Sequence, residues 1–152
     1  MVSILVSCGG NRTATSSNSL DDIKQTPKIV FLNYTIKKDN NGKKTIDFIS
    51  SKKVDGKLKN QKKFLDKNGH AEDLICSQFD ASSATLSQQL IKNPLLKHVE
   101  YVDETKNFRI VKMELDSADF TVRLQLYPET KYIAINYNNE KRPLILTKVS
   151  EL

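Results

Sequence analysis

The stretch Phe120-Thr121-Val122-Arg123-Leu124-Gln125-Leu126 decides the fold class of this chain, because apolar and polar side chains alternate along it. Successive side chains of a β-strand point to opposite faces of the sheet, so this alternation predicts a strand with one face in a core and one face in water. Residues 132–137 and 28–38 carry apolar side chains at every second position in the same way. The sequence therefore favours antiparallel β structure, in which each sheet buries one face.

Turn signals divide the rest of the chain into short segments. Asp39-Asn40-Asn41-Gly42 suits a tight turn, so residues 28–38 and 43–51 are predicted to form a hairpin. Further strands are predicted at 72–79, from 97 to the turn at 103–107, and at 108–115, 120–126, 132–137 and 143–149. The turns after residue 107 are predicted at 116–119, 128–130 and 138–140.

Two local features qualify this pattern. Apolar side chains occur at both parities of residues 108–115, which predicts a β-bulge near Ile110. Residues 84–92 carry apolar side chains at helical spacing before Asn93-Pro94, which predicts one short helix. We expect a mainly β, β-rich α+β domain over residues 27–152: an antiparallel meander of about eight strands forming a sandwich or a partly closed barrel.

The N-terminal residues carry a different kind of signal. Leu5-Val6-Ser7-Cys8 follows the order of a lipobox, and Cys8-Gly9-Gly10-Asn11 with the polar stretch after it resembles the start of surface and periplasmic lipoproteins of Bacteroidetes. The resemblance implies a lipid on Cys8, anchorage to a membrane through that lipid, and a location in the periplasm or at the outer-membrane surface. Residues 1–7 have no basic residue and are shorter than a full signal peptide, so we interpret them as a truncated lipoprotein signal segment. Residues 8–26 are too polar to build a core and are interpreted as a flexible tether.

A second resemblance concerns the domain itself. Residues 94–103 and 28–34 are similar to a group of small Bacteroidetes lipoproteins of unknown function, and the similarity covers most of the chain after the tether. It implies no activity and no catalytic residues. No later segment approaches the ~20 apolar residues of a membrane helix, so membrane contact is expected through Cys8.

The net charge of +6 is unevenly distributed, because residues 37–67 contain 11 basic and 4 acidic residues. Arginines and aromatic side chains are not interleaved with these lysines, which argues against a nucleic-acid partner. The lysines are interpreted either as a solvated face that blocks edge-to-edge pairing or as contacts to an anionic lipid or polysaccharide. The candidates for such contacts are Lys37, Lys38, Lys43, Lys44, Lys52, Lys53, Lys57 and Lys59.

The residues that usually carry chemistry are sparse. The two histidines, His70 and His98, have no His-x-His or Cys-x-x-Cys neighbours, and Gly-x-Ser-x-Gly and phosphate-binding loops are missing from the sequence. We therefore predict no catalytic residue, no metal site and no cofactor. The apolar neighbours of Cys76 predict a buried thiol; without a lipid on Cys8, the two cysteines could instead form a disulfide.

One short motif suggests a modification. Asp116-Ser117-Ala118 resembles the acceptor for O-glycosylation of exported Bacteroidetes proteins, which implies a glycan on Ser117 in an exposed turn. An ordinary turn is the alternative interpretation.

Taken together, these features favour a lipid-anchored cell-envelope lipoprotein that acts as a non-catalytic binding or interaction module. Its partner would be a protein, a glycan or an apolar ligand. The alternative is a structural envelope component whose lysine-rich hairpins contact anionic lipid or polysaccharide.

Overall fold

The structure, a computed structural model, describes residues 26–59 and 69–152. The predicted signal segment, Cys8 and nearly all of the predicted tether lie outside these ranges. The strands of the described part are β1 (Lys28–Lys38), β2 (Lys44–Asp55), β3 (Leu74–Phe79), β4 (Thr85–Ile91), β5 (Leu96–Val102), β6 (Phe108–Glu114), β7 (Ser117–Leu126), β8 (Tyr132–Tyr137) and β9 (Pro143–Lys148). A turn of 3-10 helix, Val149–Glu151, follows β9.

The strands form three antiparallel sheets, which confirms the prediction of a mainly β fold. The first sheet has the order β2-β1-β7, the second has the order β4-β3-β8-β9, and β5 and β6 form a separate two-stranded sheet. The larger two sheets share one core, as in a β-sandwich, and neither closes into a barrel.

The core is built from the alternating positions that the sequence indicates. Inward-facing side chains of β1 and β7 pair across the first sheet, Leu32 with Val122 and Val30 with Leu124. Tyr34 lies at the centre, stacked on Phe120 with ring centroids 5.6 Å apart. The buried cluster consists of Val30, Leu32, Tyr34, Ile36, Ile46, Leu74, Cys76, Leu95, Val122, Leu124, Ile133 and Ile135. Because these side chains fill the space between the sheets, a binding site of this domain is expected on its surface.

A polar side chain also crosses the core. Gln78 of β3 is fully buried, and its amide nitrogen donates to the Ser87 hydroxyl at 2.7 Å and to the backbone oxygen of Gln125 at 3.0 Å. Its side-chain oxygen accepts a hydrogen bond from the Thr130 hydroxyl at 3.0 Å. Since Gln125 belongs to β7, this amide links the second sheet to the first.

The predicted helix at residues 84–92 is wrong, because this segment forms β4 at the edge of the second sheet. Cross-strand hydrogen bonds to β3 compete with the local helical spacing; one of them joins the Gln88 amide to the Ser77 hydroxyl at 3.1 Å. Before β4, Asp80 accepts from the N–H groups of Ser82 and Ala84 in a tight turn. Pairing in the sheet thus outweighs a weak local propensity.

The predicted meander is only partly correct. The hairpins β5-β6 and β8-β9 form as expected, but β7 pairs with β1 and not with β6. The apolar face of β7 extends the core of the first sheet in this arrangement. The bulge expected near Ile110 is also wrong, because β5 and β6 pair without a register shift from Leu96↔Glu114 to Val102↔Phe108.

Candidate interaction surface

The β5-β6 hairpin, residues 96–114, leaves the sandwich as a two-stranded projection, which we call the arm. Its base is fixed to the core by Leu95, which is fully buried, and by a hydrogen bond from Leu115 N to Leu95 O of 2.8 Å. Lys38, at the end of β1, forms an ion pair with Glu114 at 2.9 Å. Seven residues in each strand extend the arm by about 20 Å at ~3.3 Å per residue.

A buried carboxylate holds the segment that leads into the arm. Asp73 accepts from the backbone N–H groups of Asn93 and His70, both at 2.9 Å, and from Lys92 Nζ at 3.2 Å. Burial alone would raise the pKa of Asp73, but the donors at Asn93 and His70 and the charge of Lys92 outweigh it and hold that pKa below its ordinary value. The carboxylate therefore stays ionised and fixes the position at which β5 begins.

The turn at the far end of the arm is polar and well ordered by hydrogen bonds. Asp103 accepts from the Thr105 hydroxyl at 2.6 Å, from Arg109 Nε at 2.9 Å and from Asn107 N at 3.0 Å. These donors, the Thr105 hydroxyl first, lower the pKa of Asp103 to about 2. The tip of the arm thus contains a carboxylate that is ionised at neutral pH and paired with Arg109.

Both faces of the arm expose apolar side chains behind this polar turn. One face, here the distal face, presents Val102, Phe108 and Ile110; Phe108 is 82% exposed. The other face, the proximal face, is in line with the buried Leu95 and the partly buried Leu115. It continues outward through Val99, Tyr101, Val111 and Met113. A contiguous apolar surface of this kind on a soluble domain typically marks an interaction site.

The sequence contains the signal for this surface, but the signal also fits a different structure. Apolar residues at both parities of 108–115 predict a strand that needs a bulge to bury both sets. In the structure neither set is buried, since every residue of β6 is exposed. A hairpin with apolar residues on both faces and a charged turn is a pattern that could have identified the arm.

The predicted lysine contacts fall into two groups. Lys37, Lys38 and Lys44 are held in ion pairs: with Asp47 at 3.0 Å, with Glu114, and with Glu72 at 3.5 Å. The others are exposed and form no ion pair among the described residues; they are Lys43, Lys52, Lys53, Lys57 and Lys59. Lys52 and Lys53 lie in the second half of β2, and Lys57 and Lys59 follow this strand. These four lysines are near the end of the sandwich at which β1 begins.

Two described pockets lie at opposite ends of the sandwich. The pocket beside the arm, of about 440 Å³, is bridged by the Lys38–Glu114 and Lys44–Glu72 ion pairs. The other, of about 560 Å³, lies at the start of β1, where Lys28 pairs with Asp55 at 3.1 Å. The ion pairs in these two pockets are typical of structural pairs and not of an activated nucleophile.

The predicted glycosylation site lies in a strand and not in a turn. Ser117 is the first residue of β7 and pairs with Lys37, because residues 117–119 extend the ladder between β1 and β7. Its side chain is exposed, so a glycan could still be accommodated. The expectation of a turn at residues 116–119 is wrong, and modification of Ser117 stays a prediction.

The remaining residues of chemical interest are placed as follows. Cys76 is buried as predicted, and burial raises the pKa of its thiol to about 12. No group of three or more His, Cys, Asp or Glu side chains is arranged to hold a metal ion in the ranges the structure describes. Within the same ranges no helix is long and apolar enough to cross a membrane.

Comparison with known proteins adds no relative: no family model, no curated protein and no solved structure matches this chain.

Proposed function

We propose that this chain is a lipid-anchored interaction module of the bacterial cell envelope that binds a protein partner through the arm, without catalysing a reaction. The observation that carries this proposal is the exposure of apolar side chains on both faces of β5 and β6. No other part of the described fold covers these side chains. Burial of such side chains against a partner contributes about 25 cal/mol per Å² of apolar surface, which makes the arm the strongest binding element of the described surface.

The polar tip of the arm favours a protein over a lipid bilayer as the partner. To insert Phe108 or Ile110 into acyl chains, the arm would first have to bury the ionised Asp103 and its neighbours in the turn. Even the paired Asp103 and Arg109 would lose their hydration there, at a cost of several kcal/mol per ion. A protein surface can contact the two faces of the arm from the side and leave the turn in water.

The orientation of the chain is consistent with an anchor at one end and a binding site at the other. β1 begins at Lys28, next to the first described residue, and ends at Lys38 beside the base of the arm. A lipid on Cys8 would therefore attach to the end of the sandwich opposite the arm. The exposed lysines near that end suit anionic head groups, whereas the arm would point away from the membrane.

The partner can be tested by photo-crosslinking in the native cells. A photoreactive phenylalanine analogue at Phe108 is expected to give a discrete crosslinked protein product on irradiation. Phe108 is the most exposed of the large apolar side chains of the arm. The same analogue at Thr121, on the outer face of the first sheet, is the control and should give no such product. Equal labelling at both positions, or lipid as the sole adduct at Phe108, would contradict the proposal.

The alternative role of the lysines is separated by a vesicle assay. Three results together would favour the structural role on an anionic surface. Anionic vesicles would bind the full chain and release it at high salt. Replacing Lys52 and Lys57 by glutamine would abolish the vesicle binding, and the same variant would lose the Phe108 crosslink.

The anchor has its own test at the native N-terminus. We expect the mature chain to start at a diacylated or triacylated Cys8, which mass spectrometry of the N-terminal peptide would detect directly. A Cys8→Ser variant should remain unacylated and be released from the membrane fraction. An unacylated chain that starts at Met1 would overturn the anchor while leaving the arm as a binding site.

A further inference from the structure

A two-stranded hairpin exposed on both faces is marginally stable in water, because each strand has hydrogen-bonding partners on one side only. In the described structure the outer edges of β5 and β6 pair with no other strand. Such edges are templates for the addition of a further strand. The arm therefore lacks both a cover for its faces and a neighbour for its edges.

We propose that the free edge of β5 pairs with a second copy of this chain, with β5 antiparallel to β5 of that copy about a two-fold axis at Val99. This goes beyond the proposed function, because it fills the edge of β5 and leaves both apolar faces of the arm open to the protein partner. The product is a four-stranded sheet with the order β6-β5-β5-β6. A two-fold axis makes the contact isologous, so it closes as a dimer and leaves no growing end.

The charges of β5 select this register. A two-fold axis perpendicular to the sheet keeps each face on the same side, so it can pair only residues of equal parity. With the axis at Val99, Glu100 lies opposite His98 of the second copy, and the reverse pair forms as well. With the axis at Glu100, two carboxylates would oppose each other, which is destabilising.

Within a single copy these side chains lack such partners. Glu100 is paired across the hairpin with Ile110, and His98 with Lys112. Glu100 forms no ion pair among the described residues. In the dimer, His98 of the second copy would donate its imidazole N–H to the Glu100 carboxylate, a pairing that the single chain does not provide.

The apolar residues also match in this register. On the proximal face, the central row contains Val111 and Val99 of one copy followed by Val99 and Val111 of the other. On the distal face, Val102, which is paired with Phe108 in its own hairpin, lies opposite Leu96 of the second copy. Rows of β-branched and apolar side chains of this kind are the pairs that stabilise a sheet.

The edge of β6 is a poorer match for a second copy. An axis at Lys112 or at Arg109 would oppose two like charges, and an axis at Val111 would place Lys112 against Ile110. Glu114, the carboxylate of β6, is already held by Lys38 at 2.9 Å. The charge pattern thus assigns the contact to β5.

A charge exchange tests the register directly, with the full chain studied by sedimentation equilibrium in a reducing buffer so that Cys8 forms no disulfide. The wild-type chain is expected to dimerise with a micromolar dissociation constant, because a contact of two strands is small. Glu100→Lys places a lysine opposite His98 of the second copy. Because the two-fold axis doubles this unfavourable pair, we expect the dissociation constant to rise about tenfold.

Rescue by a second substitution makes the result specific. Adding His98→Glu to Glu100→Lys places a carboxylate opposite each new lysine across the axis, so the double variant should dimerise about as well as the wild type. Leu146→Lys, at an exposed apolar residue of β9, is the matched control and should leave the dissociation constant unchanged. Circular dichroism of each variant verifies that the fold is retained.

The outcomes separate this inference from the proposed function. A wild-type chain that sediments as a monomer at high micromolar concentration, or a dimer that Glu100→Lys does not weaken, would overturn the second copy as partner. If the photo-crosslink from Phe108 then joins a different protein, the arm still acts as a binding site. If the wild-type chain dimerises, Glu100→Lys weakens the dimer and Phe108 still crosslinks to a different protein, both are supported.

Discussion

Replacing Tyr34 by alanine is expected to lower the free energy of unfolding by about 3–5 kcal/mol, the range for large aromatic side chains deleted from a core. Tyr34 is fully buried, its ring stacks on Phe120, and it meets Phe48 edge to face at 5.7 Å. A domain of this size is stable by about 5–15 kcal/mol, so the loss is a large share of the total. Urea unfolding followed by circular dichroism gives the value directly.

Tyr34→Phe is the matched control for this prediction. It keeps the ring and removes only the hydroxyl, whose distance to the Thr147 hydroxyl is 3.5 Å. Burial raises the pKa of Tyr34 to about 12, so the group removed is neutral at ordinary pH. A hydrogen bond this long contributes little, and we expect a change of about 1 kcal/mol or less. Equal losses for the two variants would show that the hydroxyl, and not the ring, stabilises the core.

Asp73→Asn is expected to destabilise the domain by about 2–3 kcal/mol. The amide nitrogen of the asparagine would face a buried backbone N–H group, so two donors would oppose each other. The carboxylate of Asp73 is 3% exposed and accepts from the backbone at Asn93 and at His70. An asparagine can accept from one of these groups with its oxygen, but its amide nitrogen then faces the other. The exposed Asp47, which pairs with Lys37, provides the control; Asp47→Asn should change the stability by less than about 1 kcal/mol.

The effect of Asp73→Asn should also depend on pH, in a direction that follows from the lowered pKa of Asp73. A carboxylate whose pKa is lower in the folded state stabilises the protein above its unfolded pKa, ordinarily 3.8 for aspartate. It loses that contribution as the pH falls through the folded pKa. The difference in stability between wild type and variant is therefore expected to be constant near neutral pH and to shrink in acid below that value. A difference that grows as the pH falls would contradict this assignment.

The strands that form the core could be predicted because their alternation coincides with burial. Lys28–Lys38 is the extent of both the predicted and the observed strand, and Val122 and Leu124 point inward as expected. The pairing of β7 with β1 could not be predicted, since alternation defines which face of a strand is buried but not which strand lies next to it. The partner follows from contacts between residues almost a hundred positions apart, such as Leu32 and Val122.

The segments at the edge of the structure were the least predictable. Residues 84–92 have apolar side chains at a spacing that suits a helix, and only the presence of β3 makes the strand the better alternative. The arm escaped prediction for the opposite reason. If apolar side chains such as Phe108 and Ile110 had to be buried within one chain, the strand would need a bulge, but the hairpin is regular. The rule that apolar residues lie in the core of their own chain does not predict the position of apolar residues that the chain leaves exposed.

The buried thiol of Cys76 has a practical consequence for all of these measurements. A thiolate is the reactive form, and with a pKa of about 12 and 1% exposure Cys76 is protected from thiol reagents while β3 stays paired on both sides. Labelling of this residue therefore requires the sheet to open, and the rate of labelling in native buffer reports how often it does so. The chain thus contains its own probe of opening, which can be read without denaturant.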